Sequence, residues 1–349
     1  MTALAANSNL TKLRRRARLS KDLERSIGFV ILAGIAVWII ANIIKDDSQF
    51  FAALLTGLNN GALYALIALG YTMVYGIIEL INFAHGDLFM LGTVISANVF
   101  VNWLGLHTIG VTGVFGLLLA IVISMIVCAL LNVGTEFIAY RRLRNAPKLA
   151  PLITAVGFSF IFQDFGQITN GSAPKNWAIG GFGGPAVRGF HVYQLLMVVG
   201  VTAPLLLLMS FIVTKTKQGK AMRAVASDQD GARLMGINVN RTVSFTFALG
   251  GALAGAAGTL YIAEFASNNY NLGLRLGIIA FTAAVLGGIG NLVGAVLGGL
   301  LIGVIQALND GASYGLGQSW SQTVIFAILI TLMVFRPEGL LGRRTTEKV

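Results

Sequence analysis

Eight side chains between Asn60 and Asp87 interrupt an otherwise apolar stretch, and their types limit the chemistry possible there. Asn60, Tyr64, Tyr71 and Tyr75 follow at spacings of four, seven and four, compatible with one face of a helix. Amides and phenols so placed either line a path for a small polar solute or hydrogen-bond neighbouring helices. Glu79, Asn82, His85 and Asp87 come next, inside "YGIIELINFAHGDLFMLG". On the path-lining reading, Glu79 and Asp87 must face a cavity, a helix N-terminus or a cation, because desolvating an unpaired carboxylate costs several kcal/mol. On the alternative reading this run is a solvated turn. With three histidines in the chain, two of them in expected loops, no metal site is expected. No nucleophile and base group together, so no enzymatic centre is expected either.

The elements that position these residues are membrane spans. Of 349 residues, 56% are hydrophobic and 11% charged, against about 25% charged in an ordinary soluble domain. Runs long enough to cross a hydrocarbon layer of about 30 Å recur throughout. Ten spans are expected, near 27–44, 50–78, 88–104, 109–133, 150–169, 192–213, 242–263, 274–288, 291–308 and 319–335. They make an all-α polytopic membrane protein with a domain over 27–335, a basic leader over 1–26 and a tail over 336–349. The eighth and ninth spans share the short connection "GGIGN" and could form a re-entrant pair. The apolar run from Phe50 to Ile81 is too long for one upright span and too short for two, so a broken or steeply tilted helix is expected. The first apolar segment lacks a small-residue cleavage site and reads as a retained helix. Cys128 stands alone, so no intrachain disulfide is possible.

The net charge of +11 is distributed as topology requires. Lys12 to Arg25, Arg141 to Lys148, Lys215 to Arg241 and Arg336 to Lys348 hold 21 of the 25 basic residues. Only Lys45, Lys175, Arg188 and Arg275 lie elsewhere. Positive clusters stay cytoplasmic, so the four clusters share one side, both termini are inside, and nucleic acid is not an expected partner.

Small residues four apart let helix backbones approach closely in lipid. Gly290, Gly294 and Gly298 have that spacing, as do Gly299 with Gly303 and Gly251 with Gly255, and Gly287 belongs with the first set as a helix-packing position. No phosphate-binding G-x-x-x-x-G-K-[ST] loop occurs, so nucleotide hydrolysis by that route is not expected of this chain. The longest inner loop, within 214–241, carries helix formers and an apolar set between Gln218 and Gly236. It is either an amphipathic helix lying on acidic lipid or a docking element.

"RAVASDQDGARLMGIN" resembles the coupling loop of ABC importer permeases. With "NGALYALIALGYTMVYGIIELINFAHGDLFMLG", "FTAAVLGGIGNLVGAVLGGLLIG" and "RPEGLLG", the chain resembles the branched-chain amino acid permease family of ABC importers, nearest its smaller leucine/isoleucine/valine subunit. Asp87 stands where that family commonly has glutamate, and Glu79 where it is usually apolar. The resemblance implies an ABC importer permease fold in a bacterial inner membrane, a second homologous permease subunit as heterodimer partner, two ABC ATPase subunits and a periplasmic substrate-binding protein. It implies no cofactor in this chain, with ATP and Mg bound by the partner ATPases. Gly219, Arg223, Ala226, Asp228, Gly231, Leu234 and Gly236 would couple to those ATPases. The cargo implied is an amino acid, with urea or short amides as the family's alternatives, moved by alternating access. The rival class is an ion-coupled transporter in which Glu79, Asp87, Asp164 and Glu264 bind a cation.

Overall fold

The structure, a computed structural model, describes residues 33–34, 36–107, 111–144, 146–147, 149–179, 186–187, 190–336 and 338–342. The leader over 1–26 and the basic end of the tail lie outside the described residues. Among the described residues, twelve helices carry the fold: α1 (Ala36–Lys45), α2 (Asp47–Ile78), α3 (Ala84–Trp103), α4 (Thr112–Leu143), α5 (Leu149–Asn170), α6 (Val192–Lys215), α7 (Lys217–Ser227), α8 (Gln229–Leu234), α9 (Val239–Phe265), α10 (Leu272–Gly287), α11 (Leu292–Gly311) and α12 (Ser321–Phe335). Eight of these regions are long and apolar enough to cross a membrane; α1 and α10 are apolar but shorter. Two short antiparallel pairs trim the loops, Lys175–Asn176 with Ser267–Asn268 and Ala186–Val187 with Phe190–His191.

Helix α2 runs unbroken for 32 residues, about 48 Å at 1.5 Å per residue, straight through Asn59, Asn60 and Gly61. Asp46 caps its start by accepting from the Gln49 N–H at 3.0 Å. The interruption comes at its far end, where Glu79 turns left-handed at φ 52° and its N–H still bonds Tyr75 O. Residues 79–83 then lead into α3. The "GGIGN" connection separates two distinct helices, and α10, with 16 residues, rises only about 24 Å, short of a full crossing.

Helices α2, α3 and α9 are largely buried within the molecule, whereas α5, α6 and α12 bury less than half of their apolar windows. An all-round apolar helix is stable only when enclosed by protein or lipid, and both environments are used here. Phe160, Ile161, Phe165 and Ile168 of α5, and Ile330, Val334 and Phe335 of α12, form the exposed apolar exterior.

Close packing runs through small residues. A Cβ on Gly61 would come within 2.8 Å of Leu300 Cα, and one on Gly299 would come within 2.5 Å of Ala65 N, so α2 and α11 meet backbone to backbone. Gly287, Gly294 and Gly298 seal the α10–α11 hairpin: a Cβ on Gly287 or Gly298 would overlap the carbonyl of Gly294 or Ala283, respectively. Gly290 differs from the helix-packing position expected of it, because it lies in the connecting turn at φ +86° with open space around it. Its contribution is conformational: a left-handed turn costs glycine nothing in Cβ strain.

Candidate functional site

Two cavities flank α2. The outer one, about 600 Å3, lies among α2, α9, α10, α11 and the start of α12, and Asn60, Tyr64, Tyr261, Arg275, Gln306 and Asp310 supply polar groups to it. The Tyr64 hydroxyl donates to Gln306 Oε1 at 2.9 Å. The inner one, about 470 Å3, is bounded by Thr72, Met73 and Gly76 of α2, by Arg223 of α7 and by the 289–293 turn. Between them the wall is shut. Tyr71 packs edge-on against His85 at 4.6 Å and against Phe281 at 5.9 Å, and the gap lined by Tyr71, Tyr75 and Asn82 holds only about 10 Å3, the limit for a single water.

The expected path residues therefore divide. Asn60 and Tyr64 line the outer cavity, while Tyr71, Tyr75 and Asn82 line the closed constriction. Asn82 is buried and tied in, donating to Asn132 Oδ1 at 3.2 Å and accepting from the Tyr140 hydroxyl at 3.2 Å. His85 is fully buried over Gly70, where a Cβ would strike its ring. Asp87 faces away from both cavities: it is fully buried in the first turn of α3 and accepts from Ser159 and, at 3.3 Å, from Gln163 of α5. Glu79 departs from the path-lining expectation, since it is exposed at the α2 C-cap, which is the solvated-turn reading. The acids of the ion-coupled alternative do not converge. Glu79 and Asp164 are exposed, Glu264 pairs with Asn59, and no group of three ligating side chains gathers among the described residues.

At the opposite end from the outer cavity, the chain reverses after α6. Thr216 caps α7 by accepting from the Gly219 N–H at 3.0 Å. Gly219 is obligatory there because a Cβ would overlap the Ile212 and Val213 carbonyls. Arg223 donates to Val213 O and closes the same turn. Asp228, extended at φ −159°, ends α7 and caps α8, and a Cβ on Gly231 would come within 2.7 Å of Asp228 Oδ2. Ala226 is exposed, and Gly236 ends the element at φ +79°. The α7–α8 unit packs on α2, α6 and α9, yet its tip carries Leu234 at 89% and Met235 at 85% exposure. These two apolar side chains stand bare beside the charged Arg233.

Glu136, in a π-helical turn of α4, was not singled out by spacing. It is fully buried and holds Arg141 at 2.8 Å and Arg144 at 2.9 Å, with Ser244 of α9 donating to it at 2.8 Å. Arg144 in turn donates to Asn240 at 2.9 Å, so this knot ties α4 to the start of α9 beside the α7–α8 unit. Arg275 and Asp310 were also unassigned. Arg275 had a signal, as one of the few cations outside the four basic clusters.

A polytopic bundle of apolar helices with two cavities along α2 and a short, partly exposed helix pair at one end is the architecture of a membrane-spanning protein. Residues 53–333 match the family described as branched-chain amino acid transport system / permease component. The chain belongs to that family. It is 38% identical over 312 residues to the high-affinity branched-chain amino acid transport system permease protein BraD of Pseudomonas aeruginosa, covering 86% of this chain and 98% of that protein. It is 36% identical over 309 residues to the high-affinity permease protein LivH of Escherichia coli, with 86% and 98% coverage. Among solved structures, PsaBC from Streptococcus pneumoniae in complex with Fab aligns at TM-score 0.41 and 16% identity, over 87% of this chain and 97% of that chain.

Proposed function

We propose that this chain is a transmembrane subunit of an ATP-driven ABC importer that moves branched-chain amino acids from a periplasmic binding protein to the cytoplasm by alternating access. The observation that carries this reading is the α7–α8 unit. It presents Leu234 and Met235 to solvent while packing on α2, which borders both cavities, so force applied at the tip reaches the constriction through one continuous helix. The family's cargo supports the amino acid assignment. Two ATPase subunits would seat on the tips of two permease subunits, this chain and a homologous partner, and would bind the ATP and Mg. The docking proteins would meet the membrane with both termini of this chain cytoplasmic, as the basic clusters favour. Urea and short amides are the alternative cargo.

The experiment is uptake of radiolabelled leucine, glutamate and urea into vesicles carrying the assembled transporter, with and without ATP. Saturable, ATP-dependent uptake of leucine alone is the expected result. ATP-dependent uptake of urea in its place would move the cargo assignment, and uptake indifferent to ATP would overturn the reading.

A further inference from the structure

The outer cavity is lined by one basic and one acidic side chain that do not pair with one another. Arg275 of α10 and Asp310 of α11 both line it, and among the described residues no ion pair joins them. Both lie within electrostatic reach of the buried Tyr64 hydroxyl, and Arg275 also stands by Tyr261. Asp310 accepts from Asn309 and Ser321 through the same oxygen, Oδ1, so neither of these bonds engages Oδ2. Arg275 is also one of the four basic residues placed against the charge asymmetry that governs the rest of the chain. Both side chains are exposed, Arg275 in the first turn of α10 and Asp310 in the last turn of α11, so both stand accessible on the cavity wall.

The same cavity has an aliphatic side, formed by Leu63, Leu276 and Ile279. A separated cation and anion beside an aliphatic surface match one chemical class: a zwitterionic α-amino acid with an apolar side chain. We propose that Arg275 and Asp310 form a transit site in which the guanidinium takes the α-carboxylate, the carboxylate takes the α-ammonium group, and the side chain lies on Leu63, Leu276 and Ile279. A guanidinium fork suits a carboxylate, and neutralising both cargo charges at once lowers the cost of leaving the receptor for the membrane interior. The apolar contacts recognise bulk without shape, so this subunit selects for the zwitterion and leaves the choice among side chains to the receptor. The inference rests on the amino acid importer reading above.

The test is protection of a cysteine in the cavity. Ser319→Cys, in a Cys128→Ala background, is exposed on the cavity wall and reacts with a charged thiol reagent in membranes containing the full-length chain with its transport partners. Leucine at about 10 mM, about ten times a dissociation constant taken as roughly 1 mM, occupies the site about 90% of the time and is expected to slow labelling about tenfold. Leucinamide, which lacks the carboxylate, and 4-methylpentanoate, which lacks the ammonium group, are expected to leave it unchanged. Arg275→Gln and Asp310→Asn each abolish protection, while Arg275→Lys keeps part of it and reports that the cavity still folds. Equal protection by leucine and both analogues, no protection by leucine, or full protection in the Gln and Asn variants would overturn the site. Leucine uptake is measured in the same membranes. Its loss in the unsubstituted chain would overturn the importer reading itself, whereas normal uptake with unchanged protection in both variants would overturn the transit site alone.

Discussion

Gly303 of α11 lies so close to Gly61 of α2 that a methyl group on Gly303 would overlap the Gly61 backbone. Helix association in lipid gains from van der Waals contact of this kind, and hydrophobic exclusion does not drive it. Gly303→Leu is therefore expected to destabilise the bundle by roughly 1–3 kcal/mol, the usual cost of overpacking a filled interface. Thermal unfolding in detergent, followed by size-exclusion chromatography, measures it. Gly200→Ala on α6, where a Cβ would meet nothing within 4 Å, is expected to leave the midpoint unchanged or raise it slightly.

The buried Glu136 gives a second prediction. Its side chain is fully inaccessible and holds Arg144, which is 12% exposed, and Arg141, which is 30% exposed. Removing one partner of a buried pair leaves an uncompensated charge, at a cost of about 3 kcal/mol. Glu136→Gln should lower the unfolding midpoint by more than Asp230→Asn, whose exposed pair with Arg233 contributes little.

Asn82, Asn132 and Tyr140 form one chain that ends at Phe247 O, accepted from Asn132 at 2.7 Å. Tyr140→Phe removes one donor and should cost about 1 kcal/mol, whereas Asn132→Leu orphans two groups and should cost about 2–3 kcal/mol. The double variant Asn82→Leu/Asn132→Leu should cost less than the sum of its parts, because each substitution removes a partner the other leaves stranded. Urea or thermal unfolding of these three variants and of Asn82→Leu alone checks the order and the sum.

The tail segment is stitched to the α10–α11 turn. The Leu340 N–H donates to Leu286 O at 2.8 Å, the Leu341 N–H to Gly287 O at 3.0 Å, and the Asn291 side chain donates to Leu341 O at 2.7 Å while capping α11 at Gly294. Asn291→Ala removes both the cap and the latch, for an expected loss of about 1–2 kcal/mol. Faster amide exchange confined to 286–294 and 339–342 is the expected signature.

The spans were legible because lipid forces every backbone polar group into a helix, and hydropathy marks most of their ends to within a few residues, although α4 runs on to Leu143, ten residues beyond the 109–133 reading. Glycine spacing pointed to Gly299 and Gly303, but not to Gly57 and Gly61 as the facing surface, since the two sets are far apart in sequence and pair only in three dimensions. The path residues were legible in part. A single helical face carries Asn60, Tyr64, Tyr71 and Tyr75, yet that face passes an open cavity and then a closed wall, so the same periodicity serves two environments. Asp87 looked like a path residue from its charge, and its satisfaction by Ser159 and Gln163 on α5 had no local signal. Arg275 and Asp310 escaped because a cavity shared by α10 and α11 has no sequence period.

The central claim, that ATP-driven force enters through the α7–α8 tip, is tested most directly by leucine uptake in vesicles carrying the assembled transporter with Leu234→Ala and Met235→Ala together. The account predicts ATP-dependent uptake by the unsubstituted chain and its loss, by roughly tenfold or about 1.4 kcal/mol, in a variant that still reaches the membrane in normal amount. Uptake driven by an ion gradient without ATP, and equal in the two proteins, would contradict it.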